Sequence, residues 1–203
     1  MKPTGRVPVQ RLLQLEHGAS PTDLLEQILC PENLRRAWLR VKANGGAAGA
    51  DGMTIAQFPA FARQYWPELR SRLLAGTYHP TPVRRVFIPK PNGDLRPLGI
   101  PTIKDRVIQE MVRMLIEPVY EATFLPCSYG FRPNRCTWDA LAEAHHFLKL
   151  RCEYYIVIEG DIENCFGTIQ HGLLMKQLQR RIADAKLLAL IWKMLRAGVM
   201  EDL

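Results

Sequence analysis

The residues best able to do chemistry lie in the run Tyr154-Tyr155-Ile156-Val157-Ile158-Glu159-Gly160-Asp161-Ile162-Glu163-Asn164-Cys165-Phe166. Aromatic and β-branched side chains favour a pleated strand. Alternation then puts Val157, Glu159 and Asp161 on one face and Ile156, Ile158 and Ile162 on the other. The isoleucine face reads as core. A carboxylate at the end of a largely apolar strand is costly to bury unless a cation or hydrogen-bond donors compensate it, so Asp161 is a candidate metal ligand. An aspartate in that position can equally form a turn or cap a helix.

The remainder of the chain must position such a carboxylate. With 203 residues, 47% of them hydrophobic, it can build one large domain or two small ones around a real core. A net charge of +7 and a pI near 9.3, with Lys and Arg spread throughout, suit a polyanionic partner or simple solubility. Cys30, Cys127, Cys136, Cys152 and Cys165 contain no C-x-x-C pair and are odd in number, which indicates neither a disulfide framework nor a zinc site. No apolar run approaches the roughly 18 residues of a membrane span, and the N-terminus lacks the apolar core of a signal peptide. The expectation is a cytoplasmic chain with no membrane partner.

In chain order, Ser20-Pro21 forms a helix start, and Leu24, Leu25 and Ile28 give a short amphipathic helix. Pro31 opens a second helix with Leu34, Ala37, Trp38 and Val41 on one side and Arg35, Arg36, Arg40 and Lys42 largely on the other. It should end near Asn44-Gly45-Gly46. Its basic side is either a solvated face or a surface for a phosphate backbone. The glycine-rich run 45–52 follows no expected strand and lacks the G-K-S/T ending of a phosphate-cradling loop, so it reads as a tight turn. Helix is expected over 54–74, bent or interrupted at Pro59 and Pro67 and closed by Gly76.

Residues 83–100 read as a hairpin, with Lys90-Pro91-Asn92-Gly93 as its turn. This places Lys90 and Arg96 near the tip, where they can reach an anion or merely solubilise the arm. Thr102 to Asp105 resembles a capping box opening a long core helix through Val107, Ile108, Met111 and Leu115, weakening at Pro118. Ser128-Tyr129-Gly130-Phe131-Arg132-Pro133-Asn134-Arg135 suits either stacking and backbone contact with nucleic acid or an aromatic turn under an arginine lid. Helix is expected over 137–150, where the adjacent His145 and His146 cannot share a face as a metal pair would. Two further helices carry Leu174, Met175, Leu178 and Ile182, then Leu187, Leu188, Ile191, Met194 and Leu195, the second ending at Gly198. The stop at Glu201-Asp202-Leu203 reads as a cut.

Several of these stretches, in this order, carry a family resemblance: Asn44-Gly45-Gly46 to Gly49-Ala50-Asp51-Gly52, Ile88-Pro89-Lys90-Pro91-Asn92-Gly93, Arg96-Pro97-Leu98-Gly99-Ile100-Pro101-Thr102, Asp105-Arg106-Val107-Ile108-Gln109, Ser128-Tyr129-Gly130-Phe131-Arg132-Pro133 and Gly160-Asp161-Ile162. From about Glu32 onward the chain resembles the N-terminal half of group II intron-type reverse transcriptases, or maturases. The resemblance implies an α+β right-hand polymerase: an N-terminal extension at 1–31, fingers at 32–150 with the fingertip hairpin 83–100, and the first part of the palm at 151–203. The rest of the palm, with its A-D-D pair, and the thumb would lie beyond Leu203.

Carried over by residue, Asp161 looks like the first palm aspartate, and it and Ile162 are assigned to the magnesium site. Lys90 and Arg96 resemble the cations that grip the incoming triphosphate. Phe166 looks like the aromatic gate packed where a ribonucleotide carries its 2′-hydroxyl. Arg84, Arg85, Arg132 and Arg135 are assigned to nucleic acid. The implied reaction is Mg²⁺-dependent copying of RNA into DNA: a primer 3′-hydroxyl attacks the α-phosphate of a deoxynucleotide beside two Mg²⁺ ions about 4 Å apart. The implied partners are an RNA template or intron RNA, a DNA primer and deoxynucleoside triphosphates. Since one aspartate cannot organise two magnesium ions, these 203 residues are expected to be inactive alone. The alternative is a non-catalytic RNA-binding module or splicing cofactor. Two positions depart from many relatives, which have Asp where this chain has Gly167 and Gln170.

Overall fold

In the computed structural model, residues 23–148 and 155–200 are described. The expected helix start at Ser20-Pro21, the end of the 137–150 helix, Tyr154 and the terminal Glu201-Asp202-Leu203 lie outside them. The first helix, α1 (Leu24–Ile28), is too short to hold itself together and is held by burial of Leu24, Leu25 and Ile28. In α2 (Pro31–Asn44), the Cys30 sulfur accepts the Asn33 N–H at 3.4 Å, and Pro31 occupies the first turn, where its missing N–H costs nothing. The helix stops at Gly45, whose φ of 64° is open to glycine. Its apolar stripe buries Ala37 and Val41 and leaves Arg35, Arg36, Arg40 and Lys42 exposed, as the spacing predicts. Helix α3 (Phe58–Leu74) begins four residues later than expected and runs on through Pro67, with Phe58, Leu69 and Leu73 buried. Phe58 sits 4.8 Å from the Trp38 ring, which fastens the start of α3 to α2.

The hairpin is present with its expected limits. Strand β1 (Val83–Pro89) pairs antiparallel with β2 (Leu95–Ile100), Val86 opposite Leu98 and Ile88 opposite Arg96. Helix α4 (Ile103–Glu121) follows and supplies Ile103, Val107, Ile108, Met111, Val112 and Leu115 to the core. Next come α5 (Thr137–Phe147), the single turn α6 (Cys165–Thr168), α7 (His171–Gln179), α8 (Ala185–Leu195) and β3 (Val199–Met200). Strand β3 joins β1 in parallel, giving the sheet order β2-β1-β3.

The described residues up to Ile116, together with those from Gln170 onward, form one compact unit, and 117–169 forms another. This division differs from the boundaries at 31 and 150 expected from the sequence. The reason is visible in the contacts. Asp184 caps α8 by accepting the Lys186 and Leu187 N–H groups through Oδ1, and its Oδ2 accepts the Leu25 N–H of α1 at 2.8 Å. Lys193 Nζ donates to the carbonyls of Gly76 and Tyr78 beyond the end of α3. Leu187, Leu188, Leu190 and Ile191 of α8 are buried in the same unit as α1 to α4. Every buried apolar side chain among the described residues belongs to this first unit.

The expected strand at 156–162 is corrected. Residues 155–162 form no regular element, and Ile156, Ile158 and Ile162 are 72%, 92% and 70% exposed. Alternation gives a segment a preference for extended backbone, but a strand exists only when a neighbour takes its N–H and C=O groups. Among the described residues none does so here.

Candidate functional site

The hairpin tip is built by its own backbone. Gly93 N–H donates to the Lys90 carbonyl at 3.0 Å, Lys90 N–H donates to the Asp94 carbonyl at 2.7 Å, and Gly93 has φ 89°. The Asn92 side chain donates to the Asp94 carboxylate at 2.7 Å and accepts the Asp94 N–H at 3.2 Å. Lys90 and Arg96 are both exposed, one at the turn and one in the second cross-strand pair behind it. Their ammonium and guanidinium groups are thus offered to solvent on an ordered arm, as an anion site requires. Further down the arm Arg84 lies opposite Ile100 and Arg85 opposite Gly99. Both are half-buried, and the Arg84 Nε is buried without a hydrogen-bond partner.

Behind the hairpin, Arg106 donates from Nε to the Pro101 carbonyl at 3.0 Å and from Nη1 to the Gly45 carbonyl at 3.4 Å, and Nη2 donates to the Ala47 carbonyl. It binds the glycine-rich loop to the start of α4, and burial pushes its guanidinium below its ordinary pKa. Gly49 is needed there, because a Cβ would stand 2.6 Å from the Thr102 backbone. A cavity of about 440 Å³ lies alongside, lined by Val41, Asn44, Gly45, Arg106, Gln109, Glu110 and Arg113. Burial alone would raise the Glu110 carboxyl. Hydrogen bonds from Arg113 at 2.8 Å and Arg40 at 3.2 Å outweigh it and hold the carboxyl below its ordinary value.

In the second unit Asp161 and Ile162 lie on the exposed irregular segment, and Phe166 stands 84% exposed in α6. Asn164, in the left-handed region at φ 47°, opens that turn. A Cβ on Gly167 would fall 2.4 Å from the Asn164 amide, so the Asn164 side chain fills the space beside Gly167. Ile162 could meet a cation only through its main-chain carbonyl, since its side chain has no donor atom. No group of three His, Cys, Asp or Glu side chains able to hold a metal ion occurs among the described residues.

The turn after α4 contains the other two arginines. Arg132 is committed within the unit: Nε and Nη2 donate to Glu121 Oε1 at 2.9 and 2.7 Å, and Nη1 donates to the Leu125 and Ser128 carbonyls at 2.7 and 2.9 Å. Arg135 donates to the Pro126 carbonyl and lies 5.3 Å from the Tyr129 ring centre. Phe131, directly before Arg132, is fully exposed with φ 58°. Lys90, Arg96, Arg84 and Arg85 therefore belong to the first unit, and Asp161, Ile162, Phe166, Arg132 and Arg135 to the second. Sequence reasoning missed the long-range partners of Asp105, Asp184 and Glu121. The Thr102-x-x-Asp105 spacing was the one local signal, and it pointed only to a helix cap.

The family model described as reverse transcriptase (RNA-dependent DNA polymerase) matches residues 88–202. Protein YkfC of Escherichia coli K12 is 42% identical over 184 residues, covering 88% of this chain and 48% of YkfC. The group II intron-encoded protein LtrA of Lactococcus lactis subsp. cremoris is 37% identical over 183 residues, covering 89% of this chain and 30% of LtrA. Nuclear intron maturase 2, mitochondrial, of Arabidopsis thaliana is 30% identical over 88 residues, 43% of this chain and 12% of that protein. The chain thus spans about half the length of YkfC and under a third of LtrA.

Proposed function

Since the chain belongs to the reverse transcriptases of the group II intron and maturase type, we propose that it supplies the fingers and the first acidic stretch of the palm of an RNA-directed DNA polymerase. The observation that carries this reading is the ordered hairpin with Lys90 and Arg96 exposed at its end. Two cations on such an arm suit the charge of a deoxynucleoside triphosphate and can hold it by charge-assisted hydrogen bonds. Phe166 is the group that excludes a 2′-hydroxyl, and Arg84, Arg85 and Arg135 follow the phosphates of template and primer. The partners are an RNA template or intron RNA, a DNA primer and deoxynucleotides. The compartment is the cytoplasm, where the free thiols of Cys30, Cys127, Cys136 and Cys165 persist.

Magnesium is the cofactor we assign to the assembled enzyme. Its ion takes oxygen ligands in near-octahedral geometry, and Asp161 alone among the described residues does not make such a site. Asp161 and the Ile162 carbonyl are this chain's contribution, and the remaining carboxylates belong to the part of the relatives that these residues do not span.

A second reading, a non-catalytic RNA-binding module, is favoured by one observation: the segment bearing Asp161 is exposed and, among the described residues, unpaired. Primer extension on an RNA template separates the two, run with the product of the full reading frame that encodes these residues and with the 203-residue chain. Magnesium-dependent extension by the full product, lost in Asp161→Ala, is expected. Extension that survives Asp161→Ala overturns the assignment, and salt-dependent RNA binding with no extension from either protein establishes the second reading.

A further inference from the structure

The hairpin leaves the first unit as an exposed arm, and its direction is set at its base. Thr81 stands two residues before β1, and Thr102 two residues after β2. One carboxylate reaches both: Asp105 Oδ2 accepts the Thr81 N–H at 3.2 Å and the Thr102 hydroxyl at 2.5 Å. Its Oδ1 accepts the Tyr78 hydroxyl. Asp105, Thr102 and Tyr78 are 2%, 0% and 3% exposed.

Helix capping accounts for only part of this. A cap needs Thr102 and the Asp105 N–H, which donates to the Thr102 hydroxyl oxygen at 3.2 Å. It does not need bonds to Thr81 and Tyr78, 24 and 27 residues back in the chain. Burying a carboxylate is costly without donors, and here the donors come from the two feet of the hairpin and from the segment leading into it. The Tyr78 phenol is held well above its ordinary pKa by burial and then by Asp105, so it remains a donor. Outside the cluster the Gly49 backbone lies against Thr102, and Arg106 ties the loop behind it.

We propose that Asp105 is the positioning residue of the hairpin, clamping both of its feet so that Lys90 and Arg96 are presented at a fixed reach, an inference that rests on the fingertip reading above. The lever is long. At roughly 3.3 Å per residue the arm extends about 20 Å, so a swing of about 6° displaces its tip by about 2 Å. A misplacement of about 1 Å can cost a hundredfold in rate.

The test uses side chains that keep their shape while losing a donor, because Asp105→Ala would leave several buried donors unmet and could unfold the unit. In the full reading-frame product, Thr102→Val and Tyr78→Phe should each raise amide exchange over 83–100 about tenfold while leaving 185–195 unchanged, and Thr102→Ser should restore the parent rates. The deoxynucleotide KM should rise about tenfold with a smaller change in kcat and unchanged RNA affinity. Hairpin exchange that does not move, or that rises equally in 185–195, overturns the clamp. If Lys90→Ala raises the KM and Thr102→Val does not despite a loosened hairpin, positioning is overturned. If Lys90→Ala itself has no effect, the fingertip reading falls and Asp105 stands as an anchor alone.

Discussion

Arg132→Ala should loosen the second unit without weakening RNA binding. The guanidinium carries five N–H donors. Contacts to Glu121 Oε1, the Leu125 and Ser128 carbonyls and, at 3.5 Å, the Glu121 carbonyl account for all of them. It also lies 5.3 Å from the Phe124 ring centre. Its side chain is 7% exposed and that of Glu121 25%. Removing one member of a buried ion pair costs about 3–5 kcal/mol because the other charge is left unpaired. Glu121 keeps a quarter of its surface in water and can rehydrate, so the smaller figure of about 2–3 kcal/mol applies here. That corresponds to about a 30- to 140-fold rise in local opening, read as amide exchange over 121–135. Arg132→Lys keeps the charge but offers three donors and no planar fork, and should recover less than half of the loss. The salt dependence of RNA affinity is the control. A phosphate contact contributes a slope of about 0.7 on a single strand, and that slope should not change. Unchanged exchange with a slope reduced by one such contact would refute the reasoning and return Arg132 to the nucleic-acid surface.

Gly49→Ala should lower the melting temperature by about 2–10 °C, since the new methyl meets the Thr102 and Pro101 backbone, which cannot rotate away. Phe166→Ala in the full product should relax discrimination against ribonucleotides about tenfold, measured as the ratio of kcat/KM values, and an unchanged ratio would overturn its assignment as the gate. The folded Glu110 carboxyl titrates below its ordinary value near 4.5, so its pairing stabilises the protein above that value and is lost as pH falls through the folded one. Melting temperature should therefore fall more steeply below about pH 4 in the parent than in Glu110→Gln.

Local chemistry was legible in the sequence wherever a few adjacent residues decide the outcome. Gly45 stops α2, Asn92-Gly93 turns the hairpin, and Thr102 opens α4, because φ preference and short side-chain bonds act within a few residues. Arg132 was ambiguous for the opposite reason: an arginine beside aromatics is the same string whether its acceptor is a phosphate or Glu121. Asp184 was invisible as a link between α8 and α1, since its partner Leu25 N–H lies 159 residues away. The same holds for the grouping of 170–200 with the N-terminal helices, which depends on α8 burying its apolar stripe among them.

The two parts of the candidate site differ in what holds them. The hairpin is braced within its own unit, by β1–β2 pairing, its turn bonds and the Asp105 cluster, so the backbone that bears Lys90 and Arg96 is held by the unit's own contacts. The segment bearing Asp161 has neither a ladder nor a buried face among the described residues. Ordering a backbone costs about 1–2 kcal/mol per residue, and burying an isoleucine returns about 1.5–3 kcal/mol, so 155–162 can become a strand only where Ile156, Ile158 and Ile162 are covered and its backbone is paired together. Such pairing would fix Asp161 in the same event. If Asp161 holds magnesium in the assembled enzyme, as proposed above, metal affinity and strand pairing are thermodynamically linked: whatever pairs with 155–162 should strengthen magnesium binding, and magnesium should strengthen the pairing by the same factor.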